Sequence, residues 1–161
     1  MEINLLQELA NRYTYTEDGR LINKATGRFG DTYQNNWGYR RVTWDRGALG
    51  RVREYAHRLI WFMHHGDIPE GMMVDHINLD KADNRIENLR LVDKSGNAQN
   101  SVWKGYCWDS RANKWRACIK LGGKTTHLGH FDCKQAARDA YLKAKAKMHA
   151  YASANVLKYG K

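Results

Sequence analysis

The sequence has few cysteines and no pattern among them. Cys107, Cys118 and Cys133 are an odd number, and none sits in a CxxC pair. A disulfide framework and a cysteine-based zinc site are both poor readings, and a reducing, cytoplasmic setting is expected. No apolar run approaches the ~18 residues that a membrane span needs, so no membrane partner is expected. The opening MEINLLQELANRYTY has a short apolar patch but no basic start and no cleavage site, so it does not read as a signal peptide. Repeats and low-complexity runs are absent. Acidic residues are scarce in one region only. Residues 101–161 hold 3 Asp+Glu against 13 Lys+Arg, whereas residues 1–100 hold 14 of each.

What is present suffices for a folded protein. Of 161 residues, 42% are apolar, with six Trp and nine Tyr, enough to build a core and exclude global disorder. The length fits one ordinary domain or two small ones. The net charge of +10 falls wholly in the last 61 residues. This asymmetry points to two modules, 1–100 and 101–161, the second facing a polyanion. A basic surface that only confers solubility would give the same sum.

The periodicity predicts an opening helix with Ile3, Leu5, Leu6 and Leu9 on one face. Strand-like pieces follow: YTYT, GRLIN after the Asp18-Gly19 turn, GYRRVTW and RVREYAHRLI. HRLIWFMHHG changes to a helical period, and Gly66 ends it. MMVDHI and LRLV read as short strands. DKSGNAQN begins a helix, with Asp93 or Ser95 as cap.

The stretch VDHINLDKADNRIENLRLVDKSGNAQN, residues 74–100, is dense in Asn, a poor helix and strand former. Either it is a long polar loop, or its amides hold a reactive centre. Metal-assisted cleavage of a phosphodiester needs a hard cation on oxygen ligands and a base for the water. Neutral His suits that base near pH 7. Asp75 and Asn97 are candidate metal ligands, His76 the candidate base, and Asn88 a brace for the loop, since an amide both donates and accepts. On an ideal strand Asp75 and His76 would point to opposite sides. Asn78, Asn84 and Asn100 read as loop or cap residues, with Asn84 as a further brace or ordinary turn chemistry. His57 reads as structural or, alternatively, as a phosphate contact, and His64 and His65 as surface or helix-end residues. Arg85 and Arg90 read equally as phosphate grips or solvated charges.

From about His57 to Ser101 the chain resembles the HNH endonucleases, particularly those of bacteriophages and the homing endonucleases. The residues that carry the resemblance are VDHI, DKADNRIENLR and NAQN. It implies a ββα-metal fold with His76 as general base, Asp75 and Asn97 as metal ligands and Asn88 as the middle Asn. This is an H-N-N variant. Amide oxygen in place of the last imidazole favours Mg²⁺ or Mn²⁺ over Zn²⁺.

The remainder contains KGYCWD, KWRACIKL and, after a GGK turn, TTHLGHF, followed by a helix striped by Ala137, Tyr141, Ala144 and Met148. In KWRACIKL, Trp115, Ala117, Ile119 and Leu121 share one face, and Arg116, Cys118 and Lys120 the other. A three-stranded sheet of this kind can enter the DNA major groove. Residues 101–150 are similar to the AP2 DNA-binding domain. The resemblance implies DNA contacts at Lys104, Arg116, Lys120, Thr125 and His127. Cys107 and Cys118 would be poor base contacts there. Lys143, Lys145 and Lys147 read as solvated charges.

The expected fold class is α+β: N-terminal strands leading into a ββα-metal motif, then a small three-stranded antiparallel sheet packed on one helix. The expected function is metal-dependent cutting of double-stranded DNA by a free-standing, phage-encoded homing endonuclease in the host cytoplasm, nicking as a monomer. The alternative is a DNA-binding regulator that uses the sheet and has lost catalysis.

Overall fold

The computed structural model describes residues 5–152. Ile3, Lys158 and Lys161 lie outside the described residues. The chain divides into two compact units, Met1–Leu91 and Val92–Lys161. Both mix helices with small antiparallel sheets.

In the first unit, α1 (Leu5–Arg12) leads into a hairpin of β1 (Tyr13–Tyr15) and β2 (Leu21–Asn23). A three-stranded antiparallel sheet follows, ordered β3 (Tyr33–Gln34), β4 (Arg40–Asp45), β5 (Arg51–Tyr55). Helix α2 (Ala56–His65) then precedes β6 (Met73–His76), which pairs with β7 (Leu89–Val92). The core is Leu6 and Leu9 of α1, Leu59 and Ile60 of α2, and Tyr13, Leu21, Val42, Val74 and Leu89 from the strands. Sequence alternation carries the strand RVREYAHRLI through to Ile60, but β5 stops at Tyr55. Ala56, His57, Leu59 and Ile60 are all buried, a helical spacing that extended chain cannot bury on one side. The helix ends as expected. Gly66 takes φ +80° and donates its N–H to the Phe62 carbonyl.

In the second unit, α3 (Lys94–Gln99) is capped by Asp93, whose carboxylate accepts from the Gly96 N–H at 2.6 Å. Strands β8 (Tyr106–Asp109), β9 (Lys114–Leu121) and β10 (Lys124–Phe131) form an antiparallel sheet with β9 central. Helix α4 (Lys134–Met148) packs across it, and Ala117, Ile119, Ala137 and Tyr141 are buried. Two cations that swell the net charge lie inside. Arg138 donates to the carbonyls of Trp103 and Lys104, and Lys145 to that of Ser101. Lys145, read from sequence as solvated, is 1% exposed; burial and then the Arg138 charge lower its pKa to about 8. Lys143 and Lys147 are exposed. Among the described residues no helix is long and apolar enough to cross a membrane.

Candidate active site

The loop between β6 and β7 is tied together by its own amides. Asn88 accepts from the Asn78 N–H at 3.0 Å and donates to the Asn78 side-chain oxygen at 3.0 Å and the Asp83 carbonyl at 2.7 Å. Its backbone carbonyl accepts from the Ile77 N–H, and its own N–H donates to the Arg85 carbonyl, both at 2.9 Å. Asn78 also donates to Asp83, and Asp83 pairs with Arg85 at 2.7 Å. The Arg85 hydrogen bond holds the Asp83 carboxyl below its ordinary pKa. Leu79, non-glycine at φ +70°, sits in the tight turn that these bonds stabilise.

His76 ends β6 and is buried. Its Nε2 lies 2.9 Å from the side-chain oxygen of Asn84, which is fully buried. Burial lowers the His76 pKa, against the Asn84 hydrogen bond and the charges of Asp75, Asp80 and Asp83, which raise it. The imidazole is therefore neutral at pH 7, the state a general base requires. The rings of Tyr39 and His57 pack against it, and Tyr55 packs on both of those. His57 meets His76 edge-on with centroids 5.0 Å apart, and Tyr39 lies 5.9 Å from His76. His57 is itself buried, and its pKa falls to about 3, first through burial and then through His76.

Asp75 faces the other way from His76, as strand alternation requires: Val74 and His76 are buried, while Met73 and Asp75 are half-buried. Arg90 of β7 donates to its carboxylate through Nε at 3.0 Å and Nη2 at 2.9 Å. Asn97 lies on α3, in the second unit, with its side chain exposed. Among the described residues no three His, Cys, Asp or Glu side chains cluster as a metal-ligand set. The donor chemistry nonetheless suits a hard cation. The Asp75 carboxylate is the kind of oxygen donor that a hard cation such as Mg²⁺ takes. Asp75 already receives positive charge from Arg90.

The sequence undervalued three residues here. Asn84 read as a further loop brace or as turn chemistry, although it contacts His76 directly. His57 read as structural or as a phosphate contact and Tyr39 gave no local signal, because both reach His76 only through tertiary packing.

The C-terminal candidates gather on the outer face of the second sheet, with one exception and one addition. Arg116 and Lys120 are exposed on β9, opposite His130 and Thr125 of β10, and His127 lies opposite Cys118. Lys104 precedes β8 and is not a strand residue; its carbonyl holds Arg138. A bulge between His127 and Gly129 leaves Leu128 unpaired and brings His130 onto the face with His127, ring centroids 4.8 Å apart. Gly129, at φ +129°, was the sequence signal for that bulge.

Residues 54–99 match the family model described as HNH endonuclease. This stretch is similar to the HNH endonuclease domain. Curated relatives fit that reading. The chain is 30% identical over 89 residues to a Bacillus subtilis (strain 168) protein named SPbeta prophage-derived putative HNH homing endonuclease YosQ, covering 54% of this chain and 50% of that one. It is 30% identical over 76 residues to Protein 3.8 of Escherichia phage T7, covering 42% and 63%. The chain thus spans about half to two-thirds of the length of these relatives. A solved structure titled "DNA binding and cleavage by the HNH homing endonuclease I-HmuI" aligns over 96% of this chain and 95% of that one, with TM-score 0.52 and 20% identity. The fold is therefore similar to that of this solved structure.

Proposed function

We propose that this HNH protein hydrolyses a phosphodiester bond of double-stranded DNA with a divalent cation, Mg²⁺ or Mn²⁺, and that it nicks as a monomer. The observation that carries the reading is His76. It is a buried, neutral imidazole on the strand next to Asp75, at the mouth of a loop stapled by Asn88. In this reading His76 takes a proton from a water, and the resulting hydroxide oxygen attacks phosphorus as the bond to the leaving oxygen breaks. Asp75 and Asn97 would hold the metal. When bound, a divalent cation there supplies Lewis-acid stabilisation of the charge on the phosphate and leaving oxygen. Arg90 would give way at Asp75, or share it.

Two sheet faces supply affinity for the duplex. In the first unit, β4 and β5 pair Arg41 with Tyr55, Thr43 with Arg53 and Asp45 with Arg51, and Tyr33 of β3 lies opposite Arg41. Thr43, Arg51, Arg53 and Tyr33 are exposed, and Arg41 stacks on the Tyr55 ring at 4.4 Å. Since Tyr55 packs on His57, and His57 on His76, this basic face runs into the candidate base. In the second unit, Arg116, Lys120, Thr125, His127 and His130 form an AP2-like docking face. A phage-borne homing role in the host cytoplasm accords with the phage and prophage relatives.

The test is supercoiled plasmid carrying phage genomic fragments, incubated with the protein and Mg²⁺, Mn²⁺ or EDTA. Open circles that need metal and vanish with His76→Ala are expected, at a loss of roughly 10²–10⁴-fold with DNA binding kept. Early linear product would replace monomeric nicking with paired active sites. A gel shift without cutting under any metal would favour the regulator, and cutting by His76→Ala at the wild-type rate would remove His76 as base.

A further inference from the structure

We propose that the second unit holds a pocket for one unstacked nucleobase of a DNA strand, with Trp103 as stacking wall, His149 as hydrogen-bond acceptor and Lys94 and Lys120 as phosphate grips. This deepens the docking reading of that unit and rests on it for the partner, DNA; it is independent of cutting. The cavity measures about 720 Å³, has mainly apolar walls and lies wholly within the second unit. Small-molecule sites span roughly 300–1,000 Å³ and set a few placed polar groups among apolar walls.

The cavity sits where β8 stops covering β9. Strand β8 pairs with Lys114 to Ala117, and the Cys118 N–H then reaches the Gly105 carbonyl at 3.1 Å. Beyond Cys118 no strand pairs with β9 on this side among the described residues. Ala98 of α3, Trp103, Tyr141 of α4 and His149 at the end of α4 close around that edge. Arg138 holds the Trp103 carbonyl, yet the Trp103 side chain is left 66% exposed. An exposed indole on an anchored main chain is a ready platform for a base, because every base has a π-face.

His149 is the group that asks for a ligand. It is only 8% exposed. Its Nε2 lies 3.1 Å from the Lys120 carbonyl oxygen, which only accepts, so Nε2 carries the proton and Nδ1 the lone pair. Burial lowers its pKa and keeps the ring neutral at pH 7. Nδ1 is buried with no hydrogen-bond partner among the described residues. A buried acceptor left unmatched is costly, and a donor N–H offsets that cost. Unstacked bases present such N–H groups on their pairing edges.

Charge and continuity select a DNA strand as occupant. No Asp or Glu lines the cavity among the described residues, and Lys94 and Lys120 border it. An apolar peptide would fill the space and leave both lysines unmatched. Cys118 and Lys120 also belong to the outer face of β9, so the cavity continues the docking face.

The test is equilibrium binding by the intact protein in EDTA to thymidine, N3-methylthymidine and abasic strands of equal length. All three carry the same phosphates, and the methyl group removes the thymine N–H. Wild type should bind the thymidine strand on the order of tenfold tighter than the abasic strand, and the methylated strand in between. The His149 Nδ1 ¹⁵N resonance should move with the thymidine strand and not with the abasic one. Trp103→Ala, at an exposed site, should remove most of the preference for bases, and Lys94→Ala should weaken all three strands alike. Equal affinity for thymidine and abasic strands would overturn the pocket, as would a preference that survives Trp103→Ala in full. Equal affinity for the methylated strand with an unmoved His149 resonance would remove His149 as acceptor. Free dTMP bound as tightly as the strand would overturn the strand as occupant in favour of a free nucleotide. Duplex binding without any preference for bases would defeat the pocket alone, whereas failure to bind strands and duplex alike would defeat the docking reading.

Discussion

The two units bury polar side chains to different ends. The first, neutral in sum, encloses His57, His76, Asn84 and Asn88, neutral groups around one candidate base. The second, which carries the whole net charge, turns Arg138 and Lys145 inward to hold the chain before β8 against α4. Net charge therefore misleads in both directions. The first unit displays a basic sheet face that its zero sum conceals, and the second uses two of its cations as internal struts. The teaching is that charge must be read by face before it is read by sum.

Asn88→Ala should have the largest effect and sharpen the contrast. It removes three side-chain hydrogen bonds from the loop, a loss of about 3 kcal/mol. Hydrogen exchange resolved by segment should show the first unit loosened and the β8–β10 sheet unchanged. Equal loosening of both would break the picture of two separate units. Next comes acid. The folded pKa of His57, about 3, lies below the ordinary 6.5, so the folded state resists protonation. Its contribution is intact above pH 6.5 and is lost progressively as pH falls from about 6.5 towards 3, because the unfolded chain takes up the proton first. Thermal melts between pH 7 and 4 should therefore fall, and His57→Phe should flatten that fall. A slope unchanged by His57→Phe would remove His57 as its cause.

Much of this was legible in the sequence, and the failures have physical reasons. Alternation in KWRACIKL assigned both faces of β9 correctly, since a strand over a helix has one dry side. The period of Leu59 and Ile60 and the Gly66 stop gave α2, but its start was lost because YAHR fits either a strand end or a helix. Asn88 stood out as the brace, while Asn84 fitted a brace or an ordinary turn, although both amides are buried. Two turn-like Asn residues differ only in what tertiary packing sets beside them. Lys145 sits among surface lysines at a spacing that marks the inner face equally well, and long stems let lysine serve on either. His130 fell on the outer face only because the bulge reverses the alternation after Leu128.

The smallest predicted effect tests the comparison of the sheet faces. Each Lys or Arg that touches a phosphate contributes about 0.9 to the slope of log affinity against log salt. Arg41→Ala with Arg53→Ala should lower that slope by about 2. Arg116→Ala with Lys120→Ala should do the same if both faces touch the duplex. Filter binding across a salt series measures each pair. A drop for the second pair alone would confine docking to the β8–β10 sheet and leave Arg41 to its stacking on Tyr55. An equal drop for both would mean that the neutral unit grips DNA as firmly as the basic one. The nuclease site would then bring its own phosphate contacts to the cut, through the face that runs from Arg53 past Tyr55 to His76.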